Sequence, residues 1–535
     1  MTGDPPELPK VCDGDLSWPL TRAAELHGDC EGVIDGTHVV TYAELQRRVA
    51  SLGTALDELG LAPGARVGFI GLNSLAHLEC WLAVPAAGRV LVDLNFRLSL
   101  TELEFIVRDA GIELLISDTF ALESALALRE RCPGIRELVI DGATDLGTGC
   151  LEYAQLLARE PRARAAQRRE ALAGICYTGG TTGSPKGVML SHGNLLANAT
   201  HNLLATGHGP GDRWLHVPPM FHVAGTANVF ACTWVGARQT ILPRFEARAL
   251  TEIVRQQELT HVVLVPTMLH SLIEELERQG RDNLPSLRHI QYAASPITPA
   301  LQRRVLEYFN CEVVQFYGMT EAAPTVTRLG DAEHRLALRG DPRDALRLGS
   351  IGVPVLGVQT SVRGPAGEPL AAGEVGELWV RGPNVMLGYW QREQQSAAAL
   401  AGGWYHTGDA ARRDQDGYLY IVDRLKDMII SGGENVYSIE VEAALASHPG
   451  VSEAAVFGIP DPHWGEAVHA VVSVTPGVTL TTQSLLAHCR GLIAAYKVPR
   501  SIELRDEPLP KSGPGKIMKA ALREPFWSGH GRRVN

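Results

Sequence analysis

The segment Tyr177-Thr-Gly-Gly-Thr-Thr-Gly-Ser-Pro-Lys-Gly-Val188 places four glycines, four aliphatic hydroxyl side chains and one lysine directly after the apolar run Leu172–Cys176. Glycine permits positive φ and close approach of the backbone to a ligand. Successive N–H groups in such a loop form an anion cradle, to which Lys186 adds a mobile positive charge. A flexible linker does not usually begin at a buried strand or carry a single lysine. Pro185 stands where a Walker-type P-loop has glycine, so the segment predicts a phosphate-binding loop of another kind.

Further glycine-containing motifs follow along the chain. They are Phe316-Tyr-Gly-Met-Thr-Glu321, Tyr405-His-Thr-Gly-Asp409, Asp423-Arg-Leu-Lys-Asp427 running into Ser431-Gly-Gly-Glu-Asn435, and Pro510-Lys-Ser-Gly-Pro-Gly-Lys516. In this order, and together with the loop, they resemble the signatures of the adenylate-forming (AMP-binding) superfamily. This superfamily includes acyl-CoA synthetases, firefly luciferases and the adenylation domains of peptide synthetases. The resemblance extends from Thr41 to Arg523 and is to the acyl-CoA synthetase, or fatty-acid–CoA ligase, type.

Composition indicates a soluble globular protein, with 45% apolar and 20% charged residues in a chain of 535 residues. No apolar run reaches the ~18 residues that a membrane helix requires, and the first residues lack the features of a secretory signal. Nine cysteines without a Cys-x-x-Cys pair argue against a zinc or disulfide framework, so we expect a cytoplasmic protein. The net charge of −11 argues against nucleic acid as a partner.

Lysine is rare in this chain, and its positions are informative. Of 49 basic residues only seven are lysines, and all except Lys10 lie in or near the motifs. A compact ammonium fits a tight pocket in which the planar fork of arginine cannot replace it. Chance clustering near the C-terminus could explain Lys511 and Lys519, but it explains Lys186 and Lys516 poorly.

The order of apolar runs predicts an α/β fold. Short strands alternate with helical patterns, which indicates parallel-rich sheets covered by helices; the strands include Arg66–Ile70, Val90–Asp93, Glu113–Ser117, His261–Val265 and Glu312–Phe316. Glu377–Arg381 and Tyr418–Val422 predict a smaller β-rich subdomain. Two segments, 159–169 and 330–348, are predicted to be exposed connections.

A domain boundary is predicted at Asp423–Asp427. The pattern after it, beginning with Ile439-Glu-Val-Glu-Ala-Ala-Leu445, is typical of a compact α+β unit. We therefore predict a large N-terminal AMP-binding domain over residues 1–425 and a small, mobile C-terminal domain over 426–535. The resemblance places the hinge at Lys426 and implies that a thiol path runs past Gly432 and Gly433.

The resemblance implies a role for each motif residue in the nucleotide site. From the residues alone, Glu321 could equally be a solvated acid or a helix cap, and Asp409 an ordinary turn residue. The resemblance assigns Mg²⁺ to Glu321 with Thr182, the two ribose hydroxyls to Asp409, and the ribose and phosphate region to Arg424. The further positions implied for ATP or AMP are Thr178, Gly180, Thr181, Gly183, Lys186, Ala294, Ser295, Pro296, Tyr317, Gly318, Met319 and Thr320.

Four residues are implied to act directly in catalysis, namely Lys186, Thr320, Glu321 and Lys516. Lys516 lies in a glycine-bounded loop beyond the hinge. An isolated Gly-Lys would ordinarily be a surface lysine. The resemblance instead implies that Lys516 bridges carboxylate and phosphate during adenylation and then withdraws as the domain rotates.

The acid-binding pocket is the least defined part of the prediction. The segment His216-Val-Pro-Pro-Met-Phe-His222-Val-Ala-Gly-Thr226 matches the part of the superfamily that faces the acyl group. This match implies that His222, Val223, Gly225 and Thr226 line the pocket, although His222 could also be a core histidine. Peptide-synthetase domains usually carry aspartate at the position of His222, so an α-amino acid is not expected. Small and apolar residues indicate a roomy pocket for fatty or aromatic acids.

Two positions depart from the superfamily pattern. Gly179 stands where serine is common, and Ser438 stands where proline is usual. Neither removes a charged catalytic group, so we expect effects on efficiency or substrate choice rather than loss of adenylation.

These observations predict an ATP- and Mg²⁺-dependent acid–CoA ligase for a medium- or long-chain fatty acid or an aromatic acid. It would form an acyl-adenylate and release AMP and pyrophosphate, with coenzyme A as co-substrate and a homodimer as one expected assembly. Three alternatives stay open: an enzyme that loads an acyl or peptidyl carrier protein, an enzyme that activates another oxyacid such as nitrite, and a catalytically silent scaffold. The charged motif residues argue against the scaffold.

Overall fold

Strands and helices alternate along the chain, as the apolar pattern predicts. The structure is a computed structural model, and it describes residues 14–142, 149–178, 185–280, 284–295, 297–339, 342–432, 434–511 and 517–528.

The strands are short. In chain order they are β1 (Glu31–Asp35), β2 (His38–Thr41), β3 (Arg66–Ile70), β4 (Val90–Leu94), β5 (Ile112–Asp118), β6 (Glu137–Asp141), β7 (Leu151–Glu152), β8 (Leu172–Thr178), β9 (Lys186–Ser191), β10 (Arg213–His216), β11 (Arg238–Ile241), β12 (His261–Leu264), β13 (His289–Tyr292), β14 (Glu312–Gly318), β15 (Thr325–Leu329), β16 (Val353–Pro354), β17 (Gln359–Arg363), β18 (Val375–Arg381), β19 (Gly388–Tyr389), β20 (Tyr405–Arg413), β21 (Leu419–Arg424), β22 (Ile429–Ser431), β23 (Glu434–Val436), β24 (Val451–Asp461), β25 (Gly465–Val474) and β26 (Ser501–Arg505).

The helices connect these strands. They are α1 (Trp18–His27), α2 (Tyr42–Glu58), α3 (Leu75–Ala86), α4 (Leu100–Ala110), α5 (Leu122–Arg131), α6 (Tyr153–Leu157), α7 (His192–Thr206), α8 (Val223–Val235), α9 (Ala247–Gln257), α10 (Pro266–Arg278), α11 (Pro299–Tyr308), α12 (Asp331–Ala337), α13 (Pro342–Arg347), α14 (Glu393–Ala399), α15 (Ser438–Ala446), α16 (Thr482–Arg490) and α17 (Lys519–Trp527), with short 3₁₀ turns at Thr320–Ala322, Ala401–Gly403 and Ala495–Lys497.

Two large sheets form the N-terminal part. The first sheet has the order β16-β15-β14-β13-β12-β10-β11-β1-β2, and its central strands β14, β13, β12, β10 and β11 are parallel. The second sheet has the order β19-β9-β8-β4-β3-β5-β6-β7, with β8, β4, β3, β5 and β6 parallel. Helical crossovers between parallel strands bury both faces of such sheets.

The apolar core lies in three helical layers around these sheets. Helices α2, α3, α7 and α8 share one apolar cluster with strands of both sheets, which places them between the sheets. Helices α9, α10 and α11 pack on the outer face of the first sheet, and α4 and α5 on the outer face of the second. The N-terminal part is therefore an α/β structure of parallel-rich sheets covered by helices, which confirms the prediction.

Local sequence signals explain many of the element ends. Helix α4, for example, begins at Ser99 with a capping box in which Ser99 and Glu102 bond each other's backbone N–H groups, and it ends at Gly111 with φ of 67°.

Smaller sheets follow the two large ones. The strands β17-β18-β20-β21 form an antiparallel sheet, which is the β-rich subdomain that the sequence predicts. After it, β23-β22-β25-β24 with β26 beside β25 form a C-terminal sheet. Its apolar cluster is built from residues between Ile429 and Leu504, including those of α15 and α16.

The expectation of an exposed connection over 330–348 is wrong. This segment contains α12 and α13, and His334 of α12 is buried. The His334 ring bonds the carbonyl of Gly330 at 2.6 Å and the hydroxyl of Tyr292 at 2.8 Å. The sequence did not predict these two helices, because the segment is rich in charged residues and each helix is too short to show an apolar period. Among all the helices in the described ranges, none is long and apolar enough to span a bilayer.

Candidate active site

The glycine-rich loop lies between two antiparallel strands. Thr178 at the end of β8 pairs with Lys186 at the start of β9, and the Thr178 hydroxyl lies 3.5 Å from the carbonyl oxygen of Lys186. The predicted loop residues Gly180, Thr181, Thr182 and Gly183 lie outside the described residues. Of this motif, Thr178 and Lys186 are therefore the ligand candidates that the structure places.

Lys186 contacts a tyrosine that sequence reasoning missed. Its Nζ lies 5.2 Å from the centroid of the Tyr389 ring, within cation–π range. The Tyr389 hydroxyl donates to Glu321 Oε1 at 3.1 Å. Tyr389 is held there because the short strand β19 pairs with β9, opposite Val188. One tyrosine thus connects the lysine of the loop to the predicted metal ligand.

Glu321 lies on a tight turn after β14. Gly318 ends that strand, and a Cβ there would lie 1.7 Å from the carbonyl oxygen of Pro324, so only glycine fits. The N–H of Met319 donates to the same carbonyl at 3.0 Å. Thr320 and Glu321 then form a 3₁₀ turn that ends at Ala323, which has φ of 60°. The strand end and this turn fix the direction in which Glu321 leaves the sheet.

The Glu321 carboxylate suits a hard cation. Burial raises its pKa, and the Tyr389 hydrogen bond opposes that shift only in part. The carboxylate makes no ion pair with any residue in the described part of the chain. A partly buried carboxylate that makes no ion pair with a described residue is the type of ligand that Mg²⁺ prefers, so Glu321 fits the predicted metal role.

A second carboxylate, Asp409, is held by two partners. Tyr317 at the end of β14 donates its hydroxyl to Asp409 Oδ2 at 2.5 Å. Arg424, opposite Asp409 in the β20–β21 pair, forms an ion pair with Oδ1 at 2.5 Å. Asp409 is only 2% exposed. Burial disfavours the charge of Arg424, but Asp409 together with Tyr317, Asp427 and Tyr405 outweighs this effect, so the pKa of the guanidinium is raised.

The positions predicted for adenine lie on neighbouring strands. Ala294 and Ser295 follow β13, and Tyr317 and Gly318 end the adjacent parallel strand β14. Ala294 has φ of 74°, a conformation that L-residues seldom adopt. Pro296 lies outside the described residues. Since parallel strands end at the same edge of a sheet, these two segments lie side by side.

The segment predicted for the acyl group forms a turn and the first residues of α8. His222 is the N-cap of this helix, and its Nδ1 accepts a hydrogen bond from the N–H of Ala224 at 3.2 Å. Burial lowers the pKa of His222 to about 4, so the imidazole is neutral at pH 7. Val223 and Thr226 are buried in the same helix.

Gly225 does not by itself indicate a roomy pocket. A Cβ at this position would lie 2.2 Å from the carbonyl oxygen of Pro219, so the close approach of helix and turn requires glycine there. The expectation based on small residues therefore does not hold for Gly225.

Asn73, which sequence reasoning also missed, fixes this turn. Its side-chain amide donates to the carbonyls of Pro218 at 3.1 Å and Leu242 at 3.2 Å, and its Oδ1 accepts from the N–H of Met220 at 2.8 Å. Asn73 is buried between β3 and α3. A lone asparagine some 150 residues before the turn gives no sequence signal of this contact.

The predicted hinge lies between β21 and β22. Lys426 is in this connection, half-buried. Asp423 accepts hydrogen bonds from the N–H and the hydroxyl of Ser438, the latter at 2.9 Å. Proline has no N–H, so the serine at 438 adds a contact between the hinge and α15 that the usual residue cannot make.

Gly432 packs against an aromatic ring near the hinge. It has φ of 63°, and a Cβ there would lie 2.6 Å from the ring of Trp464. Gly433 and Lys516 lie outside the described residues. The residues that flank the loop of Lys516, namely Lys511 and Ile517, pair with each other through an isolated bridge.

The structure thus connects Lys186, Tyr389 and Glu321 in one set of contacts, and Tyr317, Asp409 and Arg424 in a second set. The two sets meet at the end of β14, because Tyr317 lies in the last two residues of that strand and Glu321 follows Tyr317 by four residues.

Comparisons with known proteins agree with this arrangement. The AMP-binding enzyme family matches residues 20–390, and the AMP-binding enzyme C-terminal domain matches residues 440–516. The chain is 40% identical to the feruloyl-CoA synthase of an Amycolatopsis species, over 95% of this chain and 98% of that protein. It is 34% identical to the medium/long-chain-fatty-acid–CoA ligase FadD8 of Mycobacterium tuberculosis, over 96% and 90% of the two chains.

A solved structure of o-succinylbenzoate CoA synthetase from Bacillus subtilis, in complex with its acyl-adenylate intermediate, is also similar. It superposes with a TM-score of 0.83 at 28% identity, and the match covers 97% of this chain and 99% of that one. The chain therefore belongs to the AMP-binding enzyme family, and it is an AMP-forming acid–CoA ligase.

Proposed function

We propose that this ligase activates an aromatic carboxylic acid through an acyl-adenylate and then transfers the acyl group to CoA. The observation that carries the proposal is the connected cluster of Lys186, Tyr389 and Glu321 beside the carboxylate of Asp409. It gathers the cation of Lys186, the partly buried carboxylate of Glu321 and the hydrogen-bonded carboxylate of Asp409.

The first half-reaction requires two anions to meet. The substrate carboxylate attacks the α-phosphorus of ATP, the bond to the bridging oxygen breaks, and pyrophosphate leaves. Neutralising and aligning these charges is the main task of the site, as in phosphoryl transfer generally. Lys186, on a hairpin base beside the loop, supports neutralisation of the phosphates. Its stacking on Tyr389 keeps the ammonium from moving away.

Glu321, together with Thr182, would hold Mg²⁺, which supplies charge neutralisation on the phosphate oxygens. The Tyr389 hydrogen bond orients the carboxylate. Thr320 precedes Glu321 in the same turn and supplies a hydroxyl on the phosphate side.

The ribose of ATP is assigned to Asp409. A carboxylate has two oxygens, which can accept from both ribose hydroxyls. Tyr317 and Arg424 hold the Asp409 carboxylate in one orientation before the nucleotide arrives. Such prior positioning reduces the entropy lost on binding. The segments at Ala294–Ser295 and Tyr317–Met319 then form the slot for adenine.

The second half-reaction transfers the acyl group to a thiol. The thiolate attacks the acyl carbon, and AMP leaves. We assign Lys516 to the first half-reaction only, with rotation at Lys426 removing it before the thiol enters past Gly432 and Gly433. The two-domain organisation, with its boundary near Lys426, is part of this proposal.

The choice of an aromatic acid rests on the relatives and on the pocket segment. Feruloyl-CoA synthase acts on an aromatic acid, and it shares 40% identity with nearly the whole chain. The Phe221 ring, next to His222, packs edge-to-face on Phe96 with ring centroids 5.3 Å apart. His222 is neutral and places no charge beside the acid, unlike the aspartate that recognises an α-amino group.

CoA is proposed as the acceptor thiol, in a cytoplasmic enzyme. The relatives named above are CoA ligases, and the described cysteines are free thiols, as expected in a reducing compartment. A carrier-protein phosphopantetheine is the competing acceptor.

A two-stage assay tests this function. Pyrophosphate release is first screened over aromatic, fatty and amino acids, and AMP release is then measured with CoA and with a phosphopantetheinylated carrier protein. We expect the highest kcat/KM for an aromatic acid with CoA. Preference for long fatty acids, or turnover with the carrier protein alone, would contradict the proposal.

The site assignment is tested in the same assay with a matched pair of variants. Asp409→Ala should raise the KM for ATP at least tenfold by removing the ribose contacts. Asp416→Ala removes an exposed aspartate in the turn between β20 and β21 and should leave KM unchanged. Equal ATP dependence in both variants would contradict the ribose assignment.

A further inference from the structure

A cluster of histidines lies at the edge of the first sheet opposite the candidate active site. His261 and His289 are the first residues of the parallel strands β12 and β13. His208 and Asp212 lie in the segment that joins α7 to β10. The active-site segments follow the other ends of the same strands. A strand of four residues is about 13 Å long, so this cluster does not touch the site already described.

The donor atoms of three of these residues converge. The ligand atoms of His208, Asp212 and His261 all lie within 4.8 Å of one another. His208 Nδ1 lies 3.8 Å from Asp212 Oδ2, and His261 Nδ1 lies 3.7 Å from Asp212 Oδ1. Bonds of 2.0–2.1 Å in a tetrahedral zinc site place neighbouring donors about 3.4 Å apart. These two distances run to different oxygens of Asp212, and the three donors are separated by up to 4.8 Å, so the side chains must move by about 1 Å to share one ion.

Ring positions agree with this geometry. The centroids of the His208 and His261 rings are 4.8 Å apart, with the ring planes at 85°. Two imidazoles on one tetrahedral zinc ion have centroids about 5 Å apart. The two rings are thus already placed as a shared ion requires.

Buried polar atoms at the cluster lack partners. In the part of the chain that the structure describes, His208 Nδ1 and both ring nitrogens of His289 have no hydrogen bond. His289 is 2% exposed, and its ring centroid lies 5.4 Å from that of His261. Buried side-chain nitrogens are nearly always bonded in folded proteins, so orphans of this kind indicate a missing partner.

We propose that His208, Asp212 and His261 bind one Zn²⁺ ion, with water as the fourth ligand and His289 beside it. Two imidazoles and one carboxylate with an open position are a recognised zinc ligand set. Cysteine spacing gave no sign of zinc because the donors are histidines and an aspartate, from the α7–β10 connection and from strand β12. The site would fasten the segment after α7 to the base of β12, far from the chemistry.

The hydrogen bonds that His261 and His208 now make are compatible with zinc binding. The Thr260 hydroxyl lies 2.7 Å from His261 Nδ1, but it has a second acceptor in the Arg213 carbonyl at 3.2 Å. His208 Nε2 lies 3.1 Å from the side-chain amide of Gln291. Metal on Nδ1 fixes the proton on Nε2, which then donates to the amide oxygen of Gln291 after an amide flip.

Two groups already contact the Asp212 carboxylate. The N–H of Gly209 donates to Oδ2 at 2.8 Å, and this oxygen keeps a second lone pair for a metal. Arg288 contacts Asp212 Oδ1 at 2.9 Å, and its side chain is 60% exposed. Zinc must displace this guanidinium, which can turn to solvent. A surface cavity of about 340 Å³ has His208, Gly209 and Pro210 among its lining residues, so one ligand of the proposed site borders a cavity.

The test measures binding of the metal alone. Protein purified without a polyhistidine tag is stripped with chelator and titrated with Zn²⁺, and with Co²⁺ as a spectroscopic probe. We expect one equivalent of each, visible Co²⁺ bands of high intensity, and a rise in Tm with Zn²⁺. His208→Gln should weaken binding at least tenfold. Circular dichroism and ATP–pyrophosphate exchange check that each variant is folded.

Two further variants sharpen the test. Arg288→Gln removes the competing cation without touching a donor, and it should bind Zn²⁺ several-fold more tightly. His201→Gln alters an equally buried histidine on α7, outside the cluster, and should bind as the unaltered protein does. Binding of less than one-tenth of an equivalent at 100-fold excess Zn²⁺, or equal affinity in all four proteins, would overturn the proposal.

Discussion

Single residues in the candidate site are held by partners rather than by their own strands alone. Glu321 is partly buried, which disfavours its charged form and raises its pKa, and the Tyr389 hydroxyl favours the charged form through a 3.1 Å hydrogen bond. Asp409 has Tyr317 and Arg424 as fixed partners. Each carboxylate is therefore oriented before a ligand binds, which is the condition for fast charge stabilisation.

Tyr389 provides the first prediction. Tyr389→Phe keeps the ring under Lys186 but removes the hydrogen bond to Glu321. A hydrogen bond to a charged group contributes about 1.5–3 kcal/mol, so kcat/KM for adenylation should fall roughly tenfold or more. Removing a donor from the ionised carboxylate also raises its pKa further, so the acidic limb of the pH–rate profile should move to higher pH.

The control for this variant is Tyr420→Phe. The Tyr420 hydroxyl donates to Asp414 at 3.0 Å in the β20–β21 hairpin, away from the site. It should leave the rate and the profile unchanged. If Tyr389→Phe behaves like this control, the orientation of Glu321 by Tyr389 is refuted.

The sequence carried the charged residues of the site but not the residues that position them. Glu321 and Asp409 lie in motifs whose order is visible along the chain. Tyr389 and Asn73 carry no charge and lie outside every motif. Their contacts arise from strand β19 adding to β9 and from the turn at Pro218, and both depend on pairing between distant segments.

At the scale of elements, one side chain of the acyl segment has a structural role and a proposed binding role. His222 caps α8 through Nδ1, and we propose that it also faces the acid. Asn73 ties the turn before it to β3 and β11. The two short helices at 330–348 were missed because neither is long enough to show a period.

Two variants at His222 separate these functions. Asparagine is among the best N-cap residues, so His222→Asn should keep the Tm while changing the relative rates over a panel of aromatic and fatty acids. His222→Ala should change the same rates and also lower the Tm, since losing a cap costs about 1 kcal/mol. An unaltered acid profile in both variants would place His222 outside the pocket.

At the scale of the whole molecule, the C-terminal part has its own sheet and apolar cluster, joined to the rest through β21 and the contact of Asp423 with Ser438. The sequence predicts the boundary at 425/426 from a change of pattern, and this division stays a prediction. The sequence does not predict the distance between the loop of Lys516 and the nucleotide site, because this distance depends on how the C-terminal part is placed against the N-terminal part.

Half-reaction kinetics test this division of labour. Lys516→Ala should reduce adenylate formation by orders of magnitude, while thioester formation from supplied acyl-adenylate should stay largely intact. Lys519→Ala is the matched control, since Lys519 pairs with Glu442 and Ser438 at 2.7 Å. Equal loss of both half-reactions in Lys516→Ala would contradict domain alternation.

Buried histidines give the molecule a pH-dependent stability. Burial lowers the pKa of His201 to about 4, against about 6.5 in the unfolded chain. Between these values the unfolded state binds more protons, so this contribution is complete above pH 6.5 and is lost as the pH falls. At pH 5 the loss is about 2 kcal/mol.

A pair of variants measures this loss. The fall in Tm between pH 7 and pH 5 should be smaller in His201→Gln than in the unaltered protein. His270→Gln changes an exposed histidine, with a side chain 52% exposed, and should not alter the fall. The same fall in all three proteins would show that His201 does not titrate as its burial indicates.

The most direct test of the central claim follows the two half-reactions with one aromatic acid. With ATP, Mg²⁺ and ferulate but no CoA, the enzyme should exchange labelled pyrophosphate into ATP and hold a stoichiometric acyl-adenylate. Addition of CoA should then release AMP and feruloyl-CoA in equal amounts. Exchange that requires CoA, or release of ADP and phosphate in place of AMP, would contradict an acyl-adenylate ligase.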